Sequence, residues 1–186
     1  MEVGVIFGGR SVEHQVSVIT GLQIIENMDK SRFTPVPIYV SKEGKWYTGE
    51  CLKDFTTYKN NDFSEAVQIM VNPTFGDFNL YAIPDQVKIF GKKIIDRIDM
   101  IFPALHGTCG EDGEIQGIFE WMGIPYAGAQ VMAAAVGMDK ITMKDVFKAN
   151  DIPIVNYVWF YRKSWQHHKE SVITDIEDRI TYPMFV

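Results

Sequence analysis

The sequence predicts an α/β fold, a parallel sheet with flanking helices, followed by the start of a second, α+β segment. Three observations carry this. The apolar run Glu2 to Gly9 (EVGVIFGG) closes on two glycines and leads into a helical stripe and a second apolar run, which together make a βαβ unit. A further apolar run, Ile98 to Gly107 (IDMIFPALHG), again enters a glycine-rich loop and then a helix. After Asp151-Ile152-Pro153 the pattern restarts, which marks a domain boundary there: residues 1–150 form the first domain and residues 151–186 open a second.

Each element follows from its pattern. Glu2 to Gly9 is continuously apolar, as a strand buried on both faces requires. From about Glu13 to Met28, Val18, Leu22 and Ile25 fall at i, i+4 and i+7, one face of a helix. RFTPVPIYVS is the second strand and KWYTG a short third one. Residues 50–93 are broken by polar clusters and read as an insertion on the core, with small strands around a turn at Gly91. In EIQGIFEWMG, Ile115, Ile118, Phe119 and Met122 make a helical stripe that Gly123 ends. IPYAG is a short strand or bend, and QVMAAAVG a small-residue helix. DKITMKDVFKAN is a helix capped by Asp139 and ended by Asn150. Pro153 to Lys163, rich in β-branched and aromatic residues, reads as a strand. A mixed-charge helix over residues 164–178 follows, then an apolar strand beginning at Met184 that the chain end cuts.

With 186 residues, 46% of them apolar and 23% charged, the chain has the composition of a globular protein. A net charge of −6 excludes a general nucleic-acid binder, whose footprint is basic. The two cysteines, Cys51 and Cys109, form no CxxC pair, and the start lacks a basic secretory leader. No apolar run reaches the ~18 residues of a membrane span. These features predict a cytoplasmic protein without a disulfide framework or a membrane anchor.

Three stretches carry chemistry, all at the ends of predicted strands, the edge at which open parallel sheets bind ligands. In GGRSVEHQVS, Gly8 and Gly9 turn the chain into a helix whose first N–H groups favour a negative charge. Glu13 sits there, suited to hold a substrate ammonium; the plainer alternative is that it complements the helix dipole. A dinucleotide fingerprint GxGxxG is absent. In HGTCGEDGEIQG, His106 follows a strand, and Gly107, Gly110, Gly113 and Gly117 surround Glu111 and Asp112. That composition exposes backbone N–H groups while Asp112 caps the next helix. The alternative is a hydrogen-bonded loop histidine and an ordinary helix start. Neither EF-hand nor zinc spacing is present, so no metal ligand is expected in this chain. In GMDK, Lys140 opposes the dipole of the helix it opens, which points to phosphate binding, with a solvated lysine as the alternative. Cys109 reads as structural, and His167-His168 as surface residues.

Taken together, GGRSVEHQVS, HGTCGEDGEIQG, GIPYAG and GMDK resemble the D-alanine–D-alanine ligases in order and approximate spacing, over the entire chain. The resemblance implies a preATP-grasp (Rossmann-like) domain and the beginning of an ATP-grasp domain. It implies ATP-dependent joining of two D-alanines through an acylphosphate, with magnesium, in peptidoglycan precursor synthesis, by a homodimer that pairs through this region. Glu13 matches the carboxylate that holds the first D-alanine's ammonium. Val16 matches a residue lining that subsite, His106 the histidine beside the first substrate's carboxylate, and Lys140 the first of two lysines on the ATP phosphates. The Glu111-Asp112 loop matches a scaffold. Gln15 stands where the family commonly has an acid. The family's second phosphate lysine and its magnesium ligands have no match here, so the sequence reads as a truncated ligase, inactive alone. The rival readings are a non-catalytic dimerisation or binding module and a D-alanine–D-lactate or D-alanine–D-serine ligase.

Overall fold

The computed structural model describes residues 1–83 and 93–185. The turn expected at Gly91 and the last residue of the expected terminal strand, Val186, lie outside the described residues. The chain divides into two compact units, Met1–Met138 and Asp139–Val186. The second thus begins ahead of the domain boundary expected near Asp151.

In the first unit, β1 (Glu2–Gly8), α1 (His14–Asn27) and β2 (Thr34–Val40) form the predicted βαβ unit, with β1 and β2 paired in parallel from Glu2↔Thr34 to Gly8↔Val40. On its other side β1 pairs in parallel with β7 (Met100–Pro103). Beyond β2 the sheet turns antiparallel through β3 (Trp46–Thr48), β4 (Val67–Val71), β5 (Asn79–Ala82) and β6 (Ile94–Arg97), giving the order β6-β5-β4-β3-β2-β1-β7. The α/β class therefore stands, with the parallel pairing confined to β7, β1 and β2. The described part of residues 50–93, expected as an insertion on the core, extends that same sheet. Ile69 and Leu80 are buried in it. The β4–β5 hairpin places a polar cluster at its turn, which the sequence pattern does not distinguish from a break in the fold. A short 3₁₀ turn (Glu50–Lys53) and α2 (Phe55–Asn60) join β3 to β4.

Alternation along β1 divides the core. Ile6 packs with Ile38, Ile115 and Phe119 on the face covered by α3 (Glu114–Met122). Val5 and Phe7 pack with Val18 and Ile25 on the face covered by α1. A strand with both faces covered is continuously apolar, as read. Each large side chain so buried contributes about 1.5–3 kcal/mol. The helix α1 lies so close to β1 that a Cβ at Gly21 would fall 2.4 Å from Phe7 Cγ. Gly123 ends α3 in the left-handed conformation expected. Tyr126 forms a parallel bridge to Ile101, and α4 (Val131–Met138) closes the unit.

In the second unit, α5 (Lys140–Ala149) starts as predicted, the Thr142 N–H donating to Asp139 Oδ1 at 2.7 Å, and Asn150 caps its end. The strand expected over 153–163 is absent. Residues 152–161 run without regular structure, and α6 (Arg162–His167) already occupies the end of that range. No strand is present among the described residues of this unit, so the segment has no ladder to join, and β propensity alone does not make a strand. Met184 and Phe185 lack a strand for the same reason. The helix expected over 164–178 is split at His168 into α6 and α7 (Lys169–Arg179). Tyr157 ties the extended segment to α5, its hydroxyl donating to Asp145 at 2.9 Å and its ring lying under Lys144. No helix among the described residues is long and apolar enough to cross a membrane.

Gly21→Ala tests the helix–strand approach. Alanine improves helix propensity by about 1 kcal/mol, but overpacking costs about 1–3 kcal/mol. The expected outcome is a lower denaturant midpoint at unchanged slope; a raised midpoint would overturn this reading of the contact.

Candidate functional site

The C-terminal ends of β1 and β7 lie side by side, and a turn leaves each. At the end of β1, Gly8 has φ +95°, and a Cβ there would lie 2.2 Å from Val40 O, so only glycine fits. Gly9 N donates to the same carbonyl at 2.8 Å. Four polar side chains then fix the turn. Ser11 Oγ accepts from Glu13 N at 2.9 Å. His14 lies buried, Nδ1 2.6 Å from Gly9 O and Nε2 3.2 Å from the Tyr39 hydroxyl. Ser17, wholly inaccessible, accepts from Gly8 N at 2.8 Å and donates to Ala104 O at 2.7 Å. Arg10 reaches across to Cys109, Nη2 to Sγ 3.3 Å.

Glu13 occupies the N-cap position of α1 but makes no side-chain cap bond. Its carboxylate lies against the His106 loop instead: a Cβ built on Gly107 would meet Glu13 Oε2 and Ser11 Oγ, each at 2.6 Å. Val16 is exposed one turn further along α1, and the Thr20 hydroxyl donates to its carbonyl at 3.0 Å. The same hydroxyl lies 3.0 Å from His106 Nε2. With its proton directed to Val16, Thr20 accepts from His106, so Nε2 carries the ring proton. The structure thus brings Glu13, Val16 and His106 into one polar rim. Lys140 belongs to the second unit, where it opens α5 on the exposed surface.

The acidic pair in the glycine loop binds the loop's own backbone. Glu111 Oε2 accepts from Gly107 N at 2.7 Å, and Asp112 Oδ2 from Cys109 N at 2.7 Å. Two of the N–H groups expected to be exposed are therefore occupied. Gly113, not Asp112, takes the N-cap position of α3, although Asp112 Oδ1 still accepts from Glu114 N at 3.2 Å. Beneath the loop, buried Gln116 donates to Gly110 O at 2.8 Å. A cavity of about 290 Å³ opens between the two turns, lined by Arg10, His106, Cys109 and Glu114 among others; Glu13 and Val16 lie outside its lining.

No metal ligand is expected from the sequence, yet the described residues hold one group with suitable donors: Cys109 Sγ and carboxylate oxygens of Asp112 and Glu114, within 4.8 Å of one another. It does not fit magnesium. That ion takes oxygen ligands in octahedral array, whereas here a hydrogen bond to Glu114 and burial push the Cys109 thiol pKa up, and the Arg10 guanidinium stands beside it.

His14, Ser17, Thr20 and Gln116 are structural members of the site that no motif in the sequence singles out. The signal was present for two of them: His14, Ser17, Gly21 and Ile25 share the buried face of α1 with Val18. A polar residue on an apolar stripe marks a buried hydrogen bond.

The fold and the rim together define an α/β domain that gathers polar side chains at the strand ends β1 and β7. A family model described as D-ala D-ala ligase N-terminus matches residues 2–129. The D-alanine–D-alanine ligase of Natranaerobius thermophilus is 37% identical over 187 residues, covering 100% of this chain and 49% of the relative. That of Geobacillus kaustophilus is 38% identical over 186 residues, with coverage of 100% and 49%. Among solved structures, a D-alanine–D-alanine ligase from Coxiella burnetii superposes with TM-score 0.76 at 27% identity, covering 94% of this chain and 49% of that one. The VanG D-Ala:D-Ser ligase from Enterococcus faecalis does so with TM-score 0.74 at 31% identity, covering 98% and 50%. The chain belongs to the D-alanine–D-alanine ligase family, and it spans about half the length of the curated relatives it matches.

Two predictions follow from this geometry. Gly107, at φ +70°, tolerates no side chain without moving Glu13. Gly107→Ala is expected to lower stability by about 1–2 kcal/mol through left-handed strain and to displace the Glu13 carboxylate, read as a shift of its carboxyl carbon resonance; an unshifted resonance would overturn the contact. Burial, with help from the Glu43 charge, pushes the Tyr39 phenol up to about 12, and burial pushes Tyr58 higher. An unfolded tyrosine ionises near pH 10. The native state holds these protons more tightly, so their stabilisation is complete below about pH 10 and is lost as pH rises towards 12. Phenolate absorbance is expected to show Tyr39 and Tyr58 ionising last among the tyrosines, in step with loss of tertiary circular dichroism.

Proposed function

We propose that the protein carrying this chain is an ATP-dependent D-alanine–D-alanine ligase, and that this chain supplies the subsite for the first D-alanine. The observation that carries the reading is the Glu13 carboxylate, uncommitted to helix capping and set against Gly107 beside His106. Glu13 holds the ammonium of the first D-alanine, Val16 lines its subsite, and His106, held by Thr20, lies beside its carboxylate. Lys140, at the start of α5, holds ATP phosphate. Residues 1–150 form the preATP-grasp domain, and 151–186 begin the central ATP-grasp domain.

In this reading a carboxylate oxygen of the first D-alanine attacks the γ-phosphorus of ATP, and the bond to ADP breaks, giving an acylphosphate. The free amine of the second D-alanine attacks the acyl carbon. The tetrahedral intermediate then expels phosphate, leaving the dipeptide for peptidoglycan precursors. Magnesium, when bound, neutralises the phosphates; no step here runs through this chain's Cys109 group. The enzyme works in the cytoplasm as a homodimer, and this chain without the rest of the site is inactive. A second reading, D-serine as second substrate, is favoured by the likeness to the D-Ala:D-Ser ligase.

The test is ADP release by the full-length protein with D-alanine as sole amino acid, then with D-serine added. Release that depends on D-alanine supports the reading, and its absence sinks it. Glu13→Gln, which removes a charged hydrogen bond of about 1.5–3 kcal/mol, is expected to raise KM for the first D-alanine roughly 10- to 100-fold. His106→Ala is expected to lower kcat. Wild-type kinetics in both variants would overturn the residue roles.

A further inference from the structure

The first D-alanine subsite proposed above depends on where the turn from Gly8 to Glu13 holds its carboxylate. That turn contains a buried imidazole whose two nitrogens are both committed. Gly9 O, 2.6 Å from His14 Nδ1, can only accept. Nδ1 therefore carries the proton. In the neutral ring Nε2 is then an acceptor, and the Tyr39 hydroxyl at 3.2 Å is its donor. Tyr39 stands on β2, and its ring meets the imidazole edge to face at 5.6 Å between centroids. One ring thus ties the second glycine of the turn to the neighbouring strand, with the tautomer set by the Gly9 carbonyl and Nε2 held by the tyrosine hydroxyl. His14 also follows Glu13 directly, and its backbone N–H donates to Ser11 O at 3.2 Å. Moving the imidazole moves both ends of the turn that carries Glu13.

We infer that His14 is a positioning residue: its Nδ1–H to Gly9 O bond, with Nε2 held by the Tyr39 hydroxyl, holds the Glu13 carboxylate in place for the substrate ammonium. The inference rests on the proposed function of Glu13. It predicts that the Nδ1 end of the ring matters more than the Nε2 end. Asparagine carries an N–H₂ group at the same number of bonds from the backbone as Nδ1. Glutamine carries its amide one bond further out, as Nε2 lies.

The experiment measures KM for the first D-alanine, kcat and melting temperature on full-length protein carrying His14→Ala, His14→Asn, His14→Gln or Tyr39→Phe. Loss of the positioning bond in His14→Ala is expected to raise KM about 10-fold with kcat within about 3-fold of wild type. His14→Asn returns KM to within about 3-fold, while His14→Gln stays near the alanine value. Tyr39→Phe, which removes the donor to Nε2 and loosens the ring, raises KM by about 3-fold. An unchanged KM in His14→Ala overturns the inference, as does equal KM in the Asn and Gln variants. If the alanine variant does not fold, the Asn–Gln difference decides by itself. Glu13→Gln is measured alongside. If it raises KM and the His14 variants do not, positioning fails and the substrate reading stands. If Glu13→Gln leaves KM unchanged, it is the substrate reading that fails.

Discussion

One hydroxyl holds the site together. Ser17 Oγ accepts from Gly8 N and donates to Ala104 O, and the side chain is wholly buried. The first bond fixes the end of β1, and the second fixes the residue two before His106. Because Ser17 itself stands on α1, one atom sets the relation among the helix carrying Glu13, the strand that precedes it and the loop carrying His106. A buried hydroxyl with both its proton and a lone pair used contributes only about 1 kcal/mol per bond, but removing it orphans two buried backbone groups at about 1–3 kcal/mol each. The larger figure is the reason the rest of the rim depends on it. Gly8 belongs to the same constraint, since a side chain there would strike Val40 O and break the turn that brings its N–H to Ser17.

The second glycine loop is organised in the opposite way. Its Glu111 and Asp112 side chains turn back onto Gly107 N and Cys109 N and fasten the loop. Glu13, by contrast, makes no cap bond, and its carboxylate lies against Gly107. Glu13, Glu111 and Asp112 thus divide into two that bind loop backbone and one that does not. Composition alone does not separate these roles; the hydrogen bonds do.

The parallel heart of the fold was legible in the sequence because burial on both faces leaves a plain signature. Val5, Ile6 and Phe7 are apolar in succession, and α1 and α3 carry their stripes at helical spacing. The site was legible wherever glycine marked a turn, at Gly8-Gly9 and after His106. The antiparallel arm β4–β6 was not, since its strands are short and its hairpin turns share the polar composition of loops. His14 and Ser17 were missed because hydrogen bonding satisfies them within the core, and a residue pattern records polarity but not partners. The expected strand after Pro153 failed for a different reason. Strand propensity is realised only against a neighbouring strand, and the described residues of the second unit contain none.

Exposure of Glu13 has a consequence for how the proposed subsite works. An ion pair in open solvent contributes about 0–1 kcal/mol, which holds an amino acid only at high concentration. The same pair shielded from water, with its geometry already set, contributes about 1.5–3 kcal/mol. The difference is made by whatever covers the rim, since Glu13 and Val16 both face outward in this unit. The first unit therefore supplies orientation: a turn fixed by His14 and Ser17, a loop fixed by Glu111 and Asp112, and a histidine fixed by Thr20. On the proposed reading, binding strength depends on what covers that frame. That division suits the proposed reaction, in which an acylphosphate must be held away from water only once both substrates are in place.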